Sequence, residues 1–134
     1  DVLIGFTEVR IGVAPAIISV VCLPKMRYGD AMELFLSGER ISSTRAAEVG
    51  LLNYAVPTAE LDAKTNDLLE KLSRGGPTAL DKCKQLVAKV PHMQRDEAFA
   101  WTGDLTNGLF RAEEAAAGIK AFRERTDAPW VPKK

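Results

Sequence analysis

Glu8 is the residue of this chain whose surroundings best suit chemistry. It stands in Phe6-Thr7-Glu8-Val9-Arg10-Ile11, where charged and apolar residues alternate, the pattern of a half-buried strand. Gly12 ends that run, and Pro15 opens the apolar stretch AIISVVCL. Proline suits the first turn of a helix, since its φ is already helical and its missing N–H would have no partner there. Glu8 therefore precedes a helix start by a few residues, where free N–H groups attract an anion or a polarised water. A carboxyl so placed can give or take a proton. The competing reading is a solvent-facing strand carboxylate paired with Arg10, and the stretch alone leaves both open.

Other chemistry-bearing residues offer less. His92, the only histidine, follows Pro91 in a helix break and suits a surface or capping role. Gly75-Gly76 lacks the third glycine or the Lys-Ser pair of a phosphate-binding loop. Glu113 and Glu114 fall in the first turn of a helix, where the dipole favours carboxylates without any reaction. Phe99 and Trp101 read as packing residues. Cys22 and Cys83 are too few for a disulfide framework and lack metal-ligand spacing; each reads as a buried thiol in a reducing compartment. No metal site is expected.

The elements that must position these residues are mostly helical. Asp30 could cap AMELFLS, and Ser42-Ser43-Thr44-Arg45 leads a short helix closed by Gly50, the usual residue just past a helix end. Residues 51–56, LLNYAV, read as a strand or a core-crossing loop. Helices are expected over 60–73, from Pro77 to about 90, over 95–102 and over about 112–125. In the last, Ala115, Ile119 and Phe122 form one stripe. The tail PWVPKK cannot continue a helix.

The 134 residues fit one domain large enough to bury a core. Eighteen basic and eighteen acidic side chains cancel, which leaves no electrostatic footprint for nucleic acid and no polybasic membrane anchor. The longest apolar run, VAPAIISVVCLP, is twelve residues with two prolines, short of a membrane span, and no signal peptide is visible. The chain starts at Asp1, without Met and already inside the apolar segment VLIGF. That start leads to the expectation of an upstream segment.

Four stretches taken in order, FTEVRIGVAPAIIS, AMELFLSGERISSTRAAEVGLLNYAVP, GGPTALDKCKQLV and EEAAAGIKAFRER, resemble the C-terminal half of the crotonase (enoyl-CoA hydratase/isomerase) superfamily. In the second stretch Leu36-Ser37-Gly38, Arg45-Ala46-Ala47-Glu48, Gly50-Leu51-Leu52-Asn53 and Ala55-Val56-Pro57 follow the family's pattern. The resemblance implies a mainly α chain with a short β segment at its front, the C-terminal part of an α/β ClpP/crotonase-like spiral fold. Residues 1–57 would be the end of the core, with the active-site glutamate, and residues 58–134 a helical trimerisation region; the N-terminal half would be absent.

The same resemblance implies roles. Glu8 matches the second of two glutamates that hold a water against the C2–C3 double bond of an enoyl thioester, and would deliver the proton to C2. Ala16, just after Pro15, would offer a backbone N–H near the attacking water. Phe122 would lie against the adenine of coenzyme A and Arg125 near its phosphates, in a neighbouring subunit. Coenzyme A enters as the thioester substrate, so no cofactor is implied. The partners implied are an acyl-CoA substrate, a homotrimer or dimer of trimers, and the missing N-terminal half; no nucleic acid and no membrane are expected. The location implied is cytoplasmic, or the mitochondrial matrix in a eukaryote. Ala16-Ile17-Ile18-Ser19 replaces glycines common in the family and resembles the branch with methylglutaconyl-type hydratases. The function implied is hydration of a 2-enoyl-CoA, with the isolated chain inactive because the oxyanion hole and first glutamate belong to the other half. The alternatives are a double-bond isomerase of the family and a non-catalytic helical oligomerisation module.

Overall fold

The computed structural model describes residues 2–133; Lys134, the end of the tail noted above, lies outside them. Two three-residue strands, β1 (Leu3–Gly5) and β2 (Arg40–Ser42), pair antiparallel with Leu3 opposite Ser42 and Gly5 opposite Arg40. Seven α-helices occur among the described residues: α1 (Ala16–Cys22), α2 (Tyr28–Ser37), α3 (Ser43–Glu48), α4 (Leu61–Ser73), α5 (Pro77–Lys89), α6 (Arg95–Phe110) and α7 (Glu113–Glu124). The chain is thus mainly helical with a small sheet at the front, as the sequence implies. It divides into two compact units, Asp1–Asp62 and Ala63–Lys134, with the division in the first turn of α4.

In the first unit the buried residues are Phe6, Cys22, Met26, Ala31, Leu34, Ala46, Val49 and Leu51. Ala46 is fully buried and Val49 nearly so, because Gly50 lets the chain pass close to residue 25: a Cβ there would run into the Lys25 carbonyl. Gly50 also has φ +86°, a left-handed turn that costs glycine least. Ser42 caps α3 by accepting the Arg45 N–H at 3.2 Å, so the helix takes in Ser43, Thr44 and Arg45, residues expected to precede it. Residues 51–56 form a loop with Leu51 buried, not a strand.

Asp30 does not cap α2, which starts at Tyr28 after the extended Arg27. Its carboxylate binds Arg27 at 2.7 Å and Arg45 at 3.0 Å, and Arg45 also reaches Glu48 at 3.3 Å. The acid therefore joins α2 to α3. A guanidinium on each side satisfies a side chain that is 10% exposed, which neither arginine could do from its own helix alone.

In the second unit α6 runs to Phe110, eight residues beyond the expected end at 102. Glycine inside a helix costs about 1 kcal/mol relative to alanine, and the sixteen-residue helix absorbs both Gly103 and Gly108. Nothing lies within 4 Å of a Cβ built on either glycine. Gly103→Ala and Gly108→Ala should therefore each raise stability by about 0.5–1 kcal/mol, read as a higher midpoint in thermal denaturation.

The start of α5 has an unusual partner. Its N-cap is Gly76, which has no side chain to offer, and Pro77 has no N–H. The Thr78 and Ala79 N–H groups donate to the two carboxylate oxygens of Glu114, both at 2.9 Å. The next N–H, of Leu80, donates to the Gly76 carbonyl at 2.8 Å. The Thr78 and Ala79 donors, which the helix itself leaves open, are thereby paired. The Thr78 N–H above all, and that of Ala79, hold the Glu114 carboxyl below its ordinary value of 4.5, against an opposing loss of solvation. A depressed folded value means stabilisation present above the unfolded value and lost as pH falls through the folded one. The melting temperature should fall from about pH 5 downwards, less steeply in Glu114→Gln; equal slopes would assign the acid sensitivity to other carboxylates.

Candidate active site

The run around Glu8 is not a strand. Thr7–Ile11 forms a 3-10 turn, because both of its neighbours dock on the end of α2. Phe6, 5% exposed, sets its ring 4.2 Å from that of Phe35. Arg10 Nε donates to the Ser37 carbonyl at 3.4 Å, one of the carbonyls a helix end leaves open. Gly38 caps α2 at φ +62°, and a Cβ there would press on Val9 and Arg10. Gly12, at φ +79°, closes the turn with its N–H on the Val9 carbonyl.

Arg10 is thus engaged with α2 and does not pair with Glu8. Among the described residues, the Glu8 carboxylate has neither an ion pair nor a side-chain hydrogen bond. It is half-buried on a cleft of about 390 Å³, lined mainly by apolar residues including Ile4, Phe6, Ile18, Val21 and Cys22. Lys25 is the one cationic residue along it among the described residues. Such a cleft accepts an apolar chain and presents one unengaged carboxylate to it.

Ala16 begins α1. Its N–H donates to the Ala14 carbonyl at 2.8 Å, around a Pro15 at φ −74°, ψ 59°, the geometry of an inverse γ-turn. The donor foreseen as free for a water is therefore engaged in this conformation. The signal could not be read from residue types, since proline fixes φ and leaves ψ open.

At the end of α7 the expected packing stripe is displaced. Ala121 is buried, Gly118 lies beneath Trp130 and Glu114 points to α5, so positions 114, 118 and 121 face inward. That face lies one residue, roughly 100° around the helix, from Ala115, Ile119 and Phe122. Phe122 is 85% exposed, so its ring is not packed within the second unit. Arg125 follows in the left-handed region at φ 54°, ψ 40°. Its N–H donates to the Phe122 carbonyl at 3.3 Å and that of Thr126 to Ala121 at 3.0 Å, the paired bonds of a Schellman ending. Glycine usually fills that position; here an exposed arginine does.

The family model described as enoyl-CoA hydratase/isomerase matches residues 2–133. The chain belongs to the enoyl-CoA hydratase/isomerase family. Enoyl-CoA hydratase EchA19 of Mycobacterium tuberculosis is 28% identical over 122 residues, covering 90% of this chain and 46% of that protein. Carnitinyl-CoA dehydratase of Escherichia coli is 28% identical over 128 residues, covering 92% and 49%. Among solved structures, an enoyl-CoA hydratase/isomerase from Marinobacter aquaeolei superposes with a TM-score of 0.90 at 26% identity, over 96% of this chain and 49% of that one. An enoyl-CoA hydratase from Mycobacterium tuberculosis H37Rv gives 0.85 at 32%, over 99% and 53%. The chain spans about half the length of the curated relatives it matches.

Within this family member, Glu8 and Ala16 belong to the first unit and Phe122 and Arg125 to the second. Sequence reasoning missed the role of Glu114, since nothing in local spacing links it to a helix start 36 residues earlier. Cys22 is buried as expected, whereas Cys83 is exposed on α5; its place in an apolar periodicity concealed that. His92 is exposed at the end of a 3-10 turn. Among the described residues, no helix is long and apolar enough to cross a membrane.

A non-glycine residue in the left-handed region costs about 1 kcal/mol. Arg125→Gly should therefore stabilise the chain by about that amount, measurable as a raised denaturation midpoint. An unchanged or lowered midpoint would mean that the guanidinium itself contributes to folding.

Proposed function

We propose that the chain supplies the proton-donating part of an enoyl-CoA hydratase site, with Glu8 delivering the proton to C2 of a 2-enoyl-CoA. The observation that supports this is the unpaired, half-buried Glu8 carboxylate on a mainly apolar cleft. In hydration a water loses one proton to a base while its oxygen bonds to C3. The C2–C3 π pair moves toward the thioester carbonyl, and C2 then takes a proton from the Glu8 carboxyl, so that H and OH are added to one face. A positioned acid of this kind is worth ~10²–10⁴ in rate.

The base and the oxyanion donors are proposed to come from the part of the family's length that this chain does not span. Removal of one oxyanion donor costs ~10²–10³, so the chain alone is proposed to be inactive. On α1, Ile17 is 91% and Val20 73% exposed, which fits a chain that works within a larger structure. For Ala16 to hold a water, the γ-turn at Pro15 must open. Phe122 and Arg125 are proposed to meet the nucleotide of a coenzyme A bound in a neighbouring subunit of a trimer, where a guanidinium can grip two phosphate oxygens.

A second reading is a double-bond isomerase of the same family, in which Glu8 would serve as the single base. Water incorporation at C3 separates the two activities. In a protein comprising this chain and the remaining family length, Glu8→Gln should keep the melting temperature and lower turnover at least ~10²-fold. Unchanged turnover would remove Glu8 from the mechanism in either reading.

A further inference from the structure

We propose that Glu114 is a positioning residue for coenzyme A recognition: by tying the start of α7 to the start of α5, it sets the pose of the far end of α7, where Phe122 and Arg125 stand. The inference rests on the reading of those two residues given above.

The argument is geometric. Both oxygens of one carboxylate accept backbone N–H groups of another helix, at 2.9 Å each, and a Cβ on Gly76 would collide with that carboxylate. The attachment therefore has little room to pivot. One turn further along the same face, Gly118 is covered by Trp130; a Cβ there would lie 3.0 Å from the indole Cη2. The indole N–H donates to the Arg74 carbonyl at 3.1 Å, so the second attachment leads to the end of α4. The tail reaches that place because Arg125 reverses the chain in the left-handed region. A helix is stiff over this length, and from Glu114 to Arg125 it rises roughly 16 Å. Two attachments on its inner face fix where its last turn points.

A local cap would have served α5 equally well. Asp or Ser at position 76 satisfies the same two N–H groups from within its own loop. The backbone at Gly76, φ −60° and ψ 134°, admits such a residue once the Glu114 side chain is gone. A carboxylate reaching in from α7 does one thing that a local cap does not: it makes the position of α7 depend on the start of α5.

That difference is the test. Coenzyme A is titrated by calorimetry into a protein comprising this chain and the remaining family length, and into its Glu114→Ala and Glu114→Ala/Gly76→Asp variants. The melting temperature should drop in the single variant and recover in the double, where Asp takes the Thr78 and Ala79 N–H groups. The dissociation constant should rise roughly tenfold in the single variant, the worth of a contact, and stay raised in the double. Recovery of affinity together with stability would overturn the proposal and leave Glu114 a cap only. If Arg125→Ala in the same protein leaves coenzyme A affinity unchanged, the reading of Phe122 and Arg125 fails, and amide exchange then judges the tether alone. Exchange at Arg125 and Thr126 at least severalfold faster in the double variant than in the unaltered chain supports it; equal exchange overturns it.

Discussion

The first unit depends on the docking of one 3-10 turn against the end of α2. Burial of Phe6 dominates that contact. A phenylalanine side chain removed from water contributes about 2–3 kcal/mol, and its pairing with Phe35 adds about 0.5–1.5 kcal/mol. The Arg10 bond to Ser37 is long and exposed and contributes less, but it takes the cation away from Glu8. Gly38 permits the approach on one side of the turn, and the pairing of β1 with β2 fixes its other side. The carboxylate that faces the cleft is thus placed by its neighbours in sequence, both of which are occupied elsewhere.

How much could be read from the sequence follows from the range of the forces involved. Helices α3, α4, α5 and α7 were legible because caps, glycines and periodicity are local signals. The Gly50 closure sits where residue types alone put it, and the Ser42 cap starts the helix three residues earlier than AAEVG suggests. The turn at Glu8 was misread because alternation along FTEVRI imitates a strand, whereas the outcome was decided by Phe35 and Ser37, about thirty residues on. The inner face of α7 was misassigned by one residue for a related reason. Hydrophobicity pointed to Ile119 and Phe122, but the face is set by a carboxylate, a glycine under an indole and an alanine. The motif singles out Glu8 but not its half-buried place on a cleft; the occupied N–H of Ala16 depended on a ψ angle that no residue type announces.

Charge is handled in a consistent way across the two units. Asp30 and Glu114 were each expected to serve their own helix, one as a cap and the other as a dipole partner. Each instead crosses to another element, Asp30 to an arginine on α3 and Glu114 to backbone donors on α5. An acid bound to a fixed backbone donor loses less conformational freedom than a pair of long side chains must give up. This explains why the Glu114 contact, rather than the more numerous surface pairs such as Lys71 with Asp67, organises its surroundings.

The aromatic residues are divided between the units in a way that affects how unfolding can be followed. Both tyrosines, Tyr28 and Tyr54, belong to the first unit, and both tryptophans, Trp101 and Trp130, to the second. Trp101 has the Lys89 ammonium 5.5 Å from its ring centre, and Trp130 is bonded to the Arg74 carbonyl, so each indole senses a contact that ends when the second unit opens. Tryptophan emission is then a local gauge of the second unit, and near-ultraviolet tyrosine ellipticity one of the first. Coincident transitions by the two probes are the mark of a single cooperative event; in this chain, their separation on a temperature axis would measure the independence of its two halves without any label.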